Sequence, residues 1–275
     1  MTSFLSIKMF RPSPLYLIRS VTYRGQNRTC HKIGKMERNS FEEDFRKFHI
    51  PINTFQQTLL TIGAASLALL DPYRADMVAC LGETTGSFAL HYILSQMENS
   101  QEAAKILKEK PRINSSTVDL NKLRKMPEGT LGRVYANFLD ENKVTPDTRD
   151  PVRFVSDIKL AYVMQRYREI HDLIHALLGM KTNMLGEVTV KWVEAIQTKL
   201  PMCVGGAIFG PLRLKPKQRK DYLQYYLPWA IETGSTSKFF MNVYFEERWE
   251  QPIVELHEEL NIKPLILSRF LFNYG

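Results

Sequence analysis

Two histidines and two acids carry the chemistry of this 275-residue chain: His171, Asp172, His175 and Glu187. His171 and His175 are four residues apart, which places both imidazoles on one face of a helix and lets them reach one cation. Glu187 follows after eleven intervening residues. A carboxylate arriving from a second element can close such a site, as in two-histidine, one-carboxylate zinc centres. No other segment has this density of metal-ligating side chains.

Asp172 is open to several roles. It lies about 100° around the helix from His171, given the period of about 3.6 residues, and three before His175. It could be a fourth ligand, a group that orients a ligand, or a proton donor and acceptor. A bland reading also exists. The histidines could bond helical carbonyls, Asp172 could pair with Arg168, and Glu187 with Lys191, both at i,i+4 spacing.

The elements around the motif must bring Glu187 back to the histidines. Leu160, Met164, Tyr167, His171, Ile174 and Leu178 form one apolar stripe at helical spacing. His171 lies within it and His175 beside it, so both imidazoles are expected to face the interior. Gly179 can stop the helix and Asn183 can cap the next one, with Glu187 near its first turn. A helix, a tight connection and an antiparallel helix would assemble the site.

The motif and its surroundings, His171 to Met180 and Asn183 to Glu187, resemble the fourth coenzyme Q biosynthesis protein family of mitochondria. Supporting stretches are Leu81 to Gly86, Arg153-Phe154, Leu200-Pro201 and Tyr244 to Trp249. The resemblance covers nearly the whole chain after the first forty residues, with no departure at the four polar positions. It implies a zinc site at His171, Asp172, His175 and Glu187; at such a site Asp172 is the candidate for proton transfer, and Asp172 and Glu187 are the expected catalytic residues. It implies a carbon–carbon lyase of ubiquinone biosynthesis, acting on a polyprenylated hydroxybenzoate (a 4-hydroxy-3-methoxy-5-polyprenylbenzoate decarboxylase). The ring carboxylate at C1 would be removed, in one version with oxygenation there. Zinc does not change oxidation state, so that version would call for iron or an external oxidant. Implied partners are other coenzyme Q biosynthesis proteins in a multi-subunit complex and the polyprenylated lipid substrate. The implied location is peripheral, on the matrix side of the mitochondrial inner membrane.

Charge is concentrated at the amino terminus. Of the formal +8, seven charges fall within residues 1–38, where eight cations oppose Glu37 alone. The high pI is thus a property of the leader and gives no reason to invoke nucleic acid. The leader mixes Arg, Ser and Thr with scattered apolar residues, the composition of a mitochondrial transit peptide. The expected division is a leader over 1–40 and one helical metal-binding domain over 41–275. Cys30, Cys80 and Cys203 give no disulfide framework or paired-cysteine zinc site; Cys80 and Cys203 read as small core residues.

Periodicity predicts an all-α domain. Thr54 to Leu70 reads as a core helix first and an interfacial or lipid-lining helix second; its apolar part is too short to cross a bilayer. Further helices are expected over Phe88–Met97 with a continuation through Lys108, over Leu131–Asn142, from Asp150-Pro151 through the motif, and on to Lys199. Residues 111–130 read as loop. Phe239 to Leu260 reads as a long amphipathic helix, with a possible break at Pro252 and an acidic, solvated face. Gly82 to Gly86 reads as a turn and cap, or as backbone amides for an anion. Arg213, Lys215, Lys217, Arg219 and Lys220 read as a solvated basic run, with anionic lipid as the sharper alternative. The aromatics from Tyr222 to Trp229 would suit either an interface or the core.

Two classes of function remain open. A metal centre with an open coordination position would favour an enzyme. A closed four-ligand site would favour a non-catalytic lipid-binding scaffold with structural zinc.

Overall fold

A computed structural model describes residues 41–71 and 74–265. The expected leader lies outside the described residues. The described chain is all-α, with no named strand. The motif helix, α8 in chain order, is Ile158–Leu177, and thirteen α-helices are described in all.

Helix α1 (Phe41–Phe48) packs on α8 through Phe41, whose ring meets Tyr162 edge-on at 5.2 Å. Helices α2 (Thr54–Leu70) and α3 (Ala75–Thr85) form a hairpin. Helix α2 begins where Asn53 and Gln56 make a capping box. Only Ala64 of its seventeen residues is buried, so it is not the core helix expected first. Helix α4 (Ser87–Glu98) and α5 (Gln101–Glu109) are separate helices rather than one with a continuation. Ser100 caps α5 through the Ala103 amide, and a side chain that serves as N-cap must itself leave helical geometry.

The stretch expected as loop contains α6 (Leu120–Arg124), capped by Asp119. Helix α7 (Leu131–Asn142) has the expected bounds, set by the Thr130 cap and the left-handed Lys143. Helix α8 begins at Ile158, later than expected from Asp150-Pro151, because Asp157 caps it through the Lys159 and Leu160 amides. It carries the core on all sides: every residue from Leu160 to Leu177 is buried.

A helix this buried must match its charges internally. Arg166 pairs with Glu246 at 2.8 Å, Arg168 with Glu83 at 2.6 Å, and Glu169 with Arg112 at 2.7 Å. Two sequence expectations are corrected here. Gly82 to Thr85 is not a turn but the last part of α3, while Gly86 is the cap between α3 and α4. Buried Glu83 instead accepts the Arg153 and Phe154 amides and the Arg168 guanidinium. Phe239 to Leu260 is not one helix. Short 3-10 turns at Phe240–Asn242 and Phe245–Glu247 precede α13 (Ile253–Leu260). The turns let Val243 and Glu246 fold back onto Arg166, and Arg248 bridges Glu102 and Glu259, so this acidic face is largely consumed by internal pairs.

Helix α9 (Met184–Thr198) runs back along α8; α10 (Pro201–Phe209) and α12 (Leu227–Thr236) pack on it, with α11 (Pro216–Asp221) between them in the chain. Tyr222 and Trp229 are core residues, bonded to Trp192 Nε1 and to the Lys263 carbonyl respectively.

Candidate metal centre

The α8–α9 turn positions the site. Gly179 takes a left-handed φ of 64°, which lets the chain reverse after Leu177. Asn183 caps α9 through the Gly186 amide at 3.0 Å. A Cβ at Gly186 would lie 1.9 Å from the Lys181 carbonyl oxygen, so only glycine permits this close return. The turn sets Glu187 opposite two successive helical turns of α8.

There the structure brings together His171, His175 and Glu187. One ligand atom from each lies within 4.8 Å of the others. Glu187 Oε2 is 3.8 Å from His171 Nε2 and 3.5 Å from His175 Nε2. The two rings stand at 89° with centroids 4.8 Å apart, so their edges converge rather than stack. Both histidines are buried, while the Glu187 side chain retains 34% exposure and marks the open side.

The hydrogen bonds fix the tautomers. His171 Nδ1 faces Glu194 Oε1 at 2.6 Å, and His175 Nδ1 faces the Met180 carbonyl at 3.2 Å. A carbonyl only accepts, and so does an ionised carboxylate, so each Nδ1 carries a proton and donates it. With both rings neutral, as metal ligation requires, the Nε2 lone pairs face Glu187. His175 Nε2 is fully buried and has no hydrogen-bond partner. Such an orphan is costly to bury. A cation between the imidazoles and Glu187 would satisfy it, so the donors fit a metal. Nitrogen and oxygen donors of this kind suit zinc and also accommodate iron.

Asp172 is placed differently. It is buried next to His171 in sequence, but its carboxylate is engaged by Arg149 rather than turned to join the three donors. The i,i+4 pairs of the bland reading do not form: Arg168 goes to Glu83 and Lys191 goes to Glu194.

Sequence reasoning missed Glu194. Its second oxygen accepts from Tyr167 Oη at 2.8 Å and Lys191 Nζ at 2.7 Å, and Cys203 Sγ lies 3.0 Å from Tyr167 Oη. Burial opposes the charge on Glu194, but His171 and Lys191 override it and hold the carboxyl far below its ordinary range. Burial pushes the Cys203 thiol up to about 12, which makes it a packed thiol rather than a nucleophile. A signal existed: Glu187, Lys191 and Glu194 recur at i, i+4, i+7, the same period that sets Tyr167, His171 and His175 on α8.

Two cavities flank the cluster. One of about 560 Å³ is mostly apolar, lined by Leu177, Met180, Trp229 and Ile262 among others. The other, about 530 Å³, is polar and includes Arg112, Ser115, Arg149 and Glu169. One wall residue of each also contacts the motif: Met180 bonds His175, and Arg149 pairs with Asp172.

The profile of the family described as "Coenzyme Q (ubiquinone) biosynthesis protein Coq4" matches residues 46–265. The chain belongs to the Coq4 family. A Bombyx mori relative named as a mitochondrial ubiquinone biosynthesis protein Coq4 homologue is 59% identical over 227 residues, covering 82% of this chain and 88% of its own length. The Mus musculus Coq4 homologue, also named as mitochondrial, is 57% identical, covering 78% and 81%. In fold, the chain is similar to the crystal structure of a candidate ubiquinone biosynthesis protein of Nostoc punctiforme. The TM-score is 0.59 at 21% identity, with 76% of this chain and 97% of that chain covered.

Proposed function

We propose that this Coq4 family member removes the ring carboxylate of a polyprenylated hydroxybenzoate during ubiquinone biosynthesis, using a metal held by His171, His175 and Glu187. The carrying observation is the convergence of three donors around a buried, unpartnered His175 Nε2. Three protein ligands rather than four leave a coordination position for substrate, which favours an enzyme over a structural site.

The bound metal would supply Lewis-acid stabilisation of charge developing on the substrate's carboxylate or neighbouring phenolate. The chain's own residues do the rest. Loss of CO₂ breaks the bond between ring and carboxyl carbon, and the ring carbon then takes a proton. Asp172, held by Arg149 and adjacent in sequence to His171, is our candidate for transferring it. Glu194 holds the His171 ring, and Met180 holds His175. The apolar cavity at Met180 suits the proximal prenyl units, and the polar cleft at Arg149 suits the charged head. An oxidative course at C1 would call for iron in the same donors or an external oxidant.

The location that goes with this substrate is peripheral, on the matrix side of the inner membrane. Two observations support it: the relatives are named as mitochondrial, and no described helix is long and apolar enough to cross a membrane. Other coenzyme Q biosynthesis proteins are the expected partners, within a complex that this protein helps organise.

The test is CO₂ release from a prenylated hydroxybenzoate by metal-loaded protein. Turnover that is lost on chelation and restored by metal supports the reading. Stoichiometric metal without turnover, together with loss of pathway partners in a Glu187→Gln variant, would move it to a scaffold with structural zinc.

A further inference from the structure

Helix α2 is built inside out. Its inward face is small and polar: Ala64 is buried, and Gln57 reaches the Thr84 carbonyl at 2.7 Å. Its outward face carries the large side chains. Phe55, Leu59, Ile62 and Leu69 fall at i, i+4, i+7, i+14, and Phe55 is 76% exposed. The helix has no charged residue from Thr54 to Leu70. A large apolar helix face belongs in a core or against lipid, and burying this exposed face is what the fold leaves undone.

The hydroxyls of α2 are also turned inward on themselves. Thr58, Thr61 and Ser66 each donate to the carbonyl four residues earlier, at 2.9, 2.8 and 2.9 Å. Those donors make no demand on a polar partner, which suits a face that meets hydrocarbon.

A second exposed apolar strip lies on α10, which packs on α3 as α2 does. At the end of α10 and the following turn, Ile208, Phe209 and Leu212 are exposed, Leu212 at 73%. The basic run begins immediately beyond. Arg213 donates to the Leu69 carbonyl, which fixes this run beside the end of α2. Arg213, Lys215, Lys217, Arg219 and Lys220 are all exposed, and Pro201 to Lys220 contains no acid.

We infer that α2, the end of α10 and the basic run 213–220 form one docking surface for an anionic lipid bilayer. The apolar side chains would enter the headgroup–acyl boundary, and the cations would sit at headgroup level. Helix α2 would lie in the plane of the membrane, since it is too short and too closely tied to α3 to span it. The inference deepens the proposed peripheral location and rests on it for context. The charge pattern is what selects a bilayer over a protein: an uncharged apolar face beside a run of five exposed cations with no acid among them complements an anionic lipid surface.

Vesicle flotation of the full-length chain tests it, with phosphatidylcholine alone and with added phosphatidylglycerol. The basic leader is common to every variant and cancels in the comparison. Each cation at an anionic surface contributes roughly a factor of five, so Arg213→Gln/Lys217→Gln should lower partition about 25-fold. Leu59→Gln/Ile62→Gln should abolish flotation while the far-ultraviolet dichroism stays unchanged. Lys108→Gln/Lys122→Gln removes the same charge from α5 and α6 and should float like wild type. Equal flotation of all variants would overturn the surface while leaving a peripheral location intact. A wild type that does not float but forms a dimer, dispersed by Leu59→Gln/Ile62→Gln, would overturn it in favour of a protein interface. CO₂ release measured on detergent-dispersed substrate should be unchanged in every pair. Its absence from wild type would count against the enzymatic reading and leave the flotation result standing.

Discussion

Glu194 accepts the Nδ1 proton of His171 at 2.6 Å from seven residues beyond Glu187 on the same helix. One face of α9 thus contributes both a carboxylate facing the Nε2 atoms and a carboxylate holding the opposite edge of a ring. The second contact fixes the His171 tautomer and orientation, which a metal ligand needs.

Replacing Glu194 therefore acts through His171. Glu194→Ala should weaken metal affinity roughly 10- to 100-fold, the usual cost of losing an orienting partner. Glu194→Gln keeps an acceptor and should weaken it less. Chelator competition on folded protein measures both, and equal affinity in all three proteins would remove Glu194 from the site.

Asp172 separates chemistry from metal binding. Asp172→Asn should retain stoichiometric metal yet lower CO₂ release roughly 10²- to 10⁴-fold, the range for loss of a positioned proton-transfer group. Metal lost along with turnover would make Asp172 a ligand instead.

The ion pair of Arg168 with Glu83 ties α8 to α3, with both side chains buried. Glu83→Ala leaves a buried guanidinium short of its partner and frees the Arg153 and Phe154 amides. Destabilisation of about 3–5 kcal/mol is expected from urea unfolding midpoints. A change under 1 kcal/mol would show that water reaches the site.

Much of this was legible in the sequence, and the reasons are local. The histidine spacing, the Gly179 stop and the Asn183 cap specify the helical hairpin that carries the site, because each acts within a turn or two of itself. Glu194 was not read because its role depends on α8 and α9 lying antiparallel in one register. The segment after Phe239 looked helical by periodicity, yet Arg166 draws Val243 and Glu246 into the core, and that contact spans 77 to 80 residues. Helix α2 was expected in the core because its sequence is apolar. Apolar sequence alone does not distinguish a protein interior from a surface that lipid covers.

Acid should weaken the Arg248–Glu259 pair of the C-terminal segment. Hydrogen bonds from Gln251 and Arg248 hold the Glu259 carboxyl below its ordinary 4.5. A lowered folded pKa gives stability that is present above the unfolded value and lost as pH falls below it. Glu259→Gln should flatten the decline of thermal midpoint with acid below about pH 4.5 and leave the neutral side unchanged in slope. An unaltered acid limb would place the responsible carboxylates elsewhere.

Elemental analysis of purified protein, wild type beside His171→Ala, tests the metal centre most directly, with circular dichroism to verify folding and CO₂ release measured in parallel. A metal held by His171, His175 and Glu187 gives one equivalent of zinc or iron in wild type, and a folded variant that has lost both metal and turnover. Folded, active wild type without metal would contradict it.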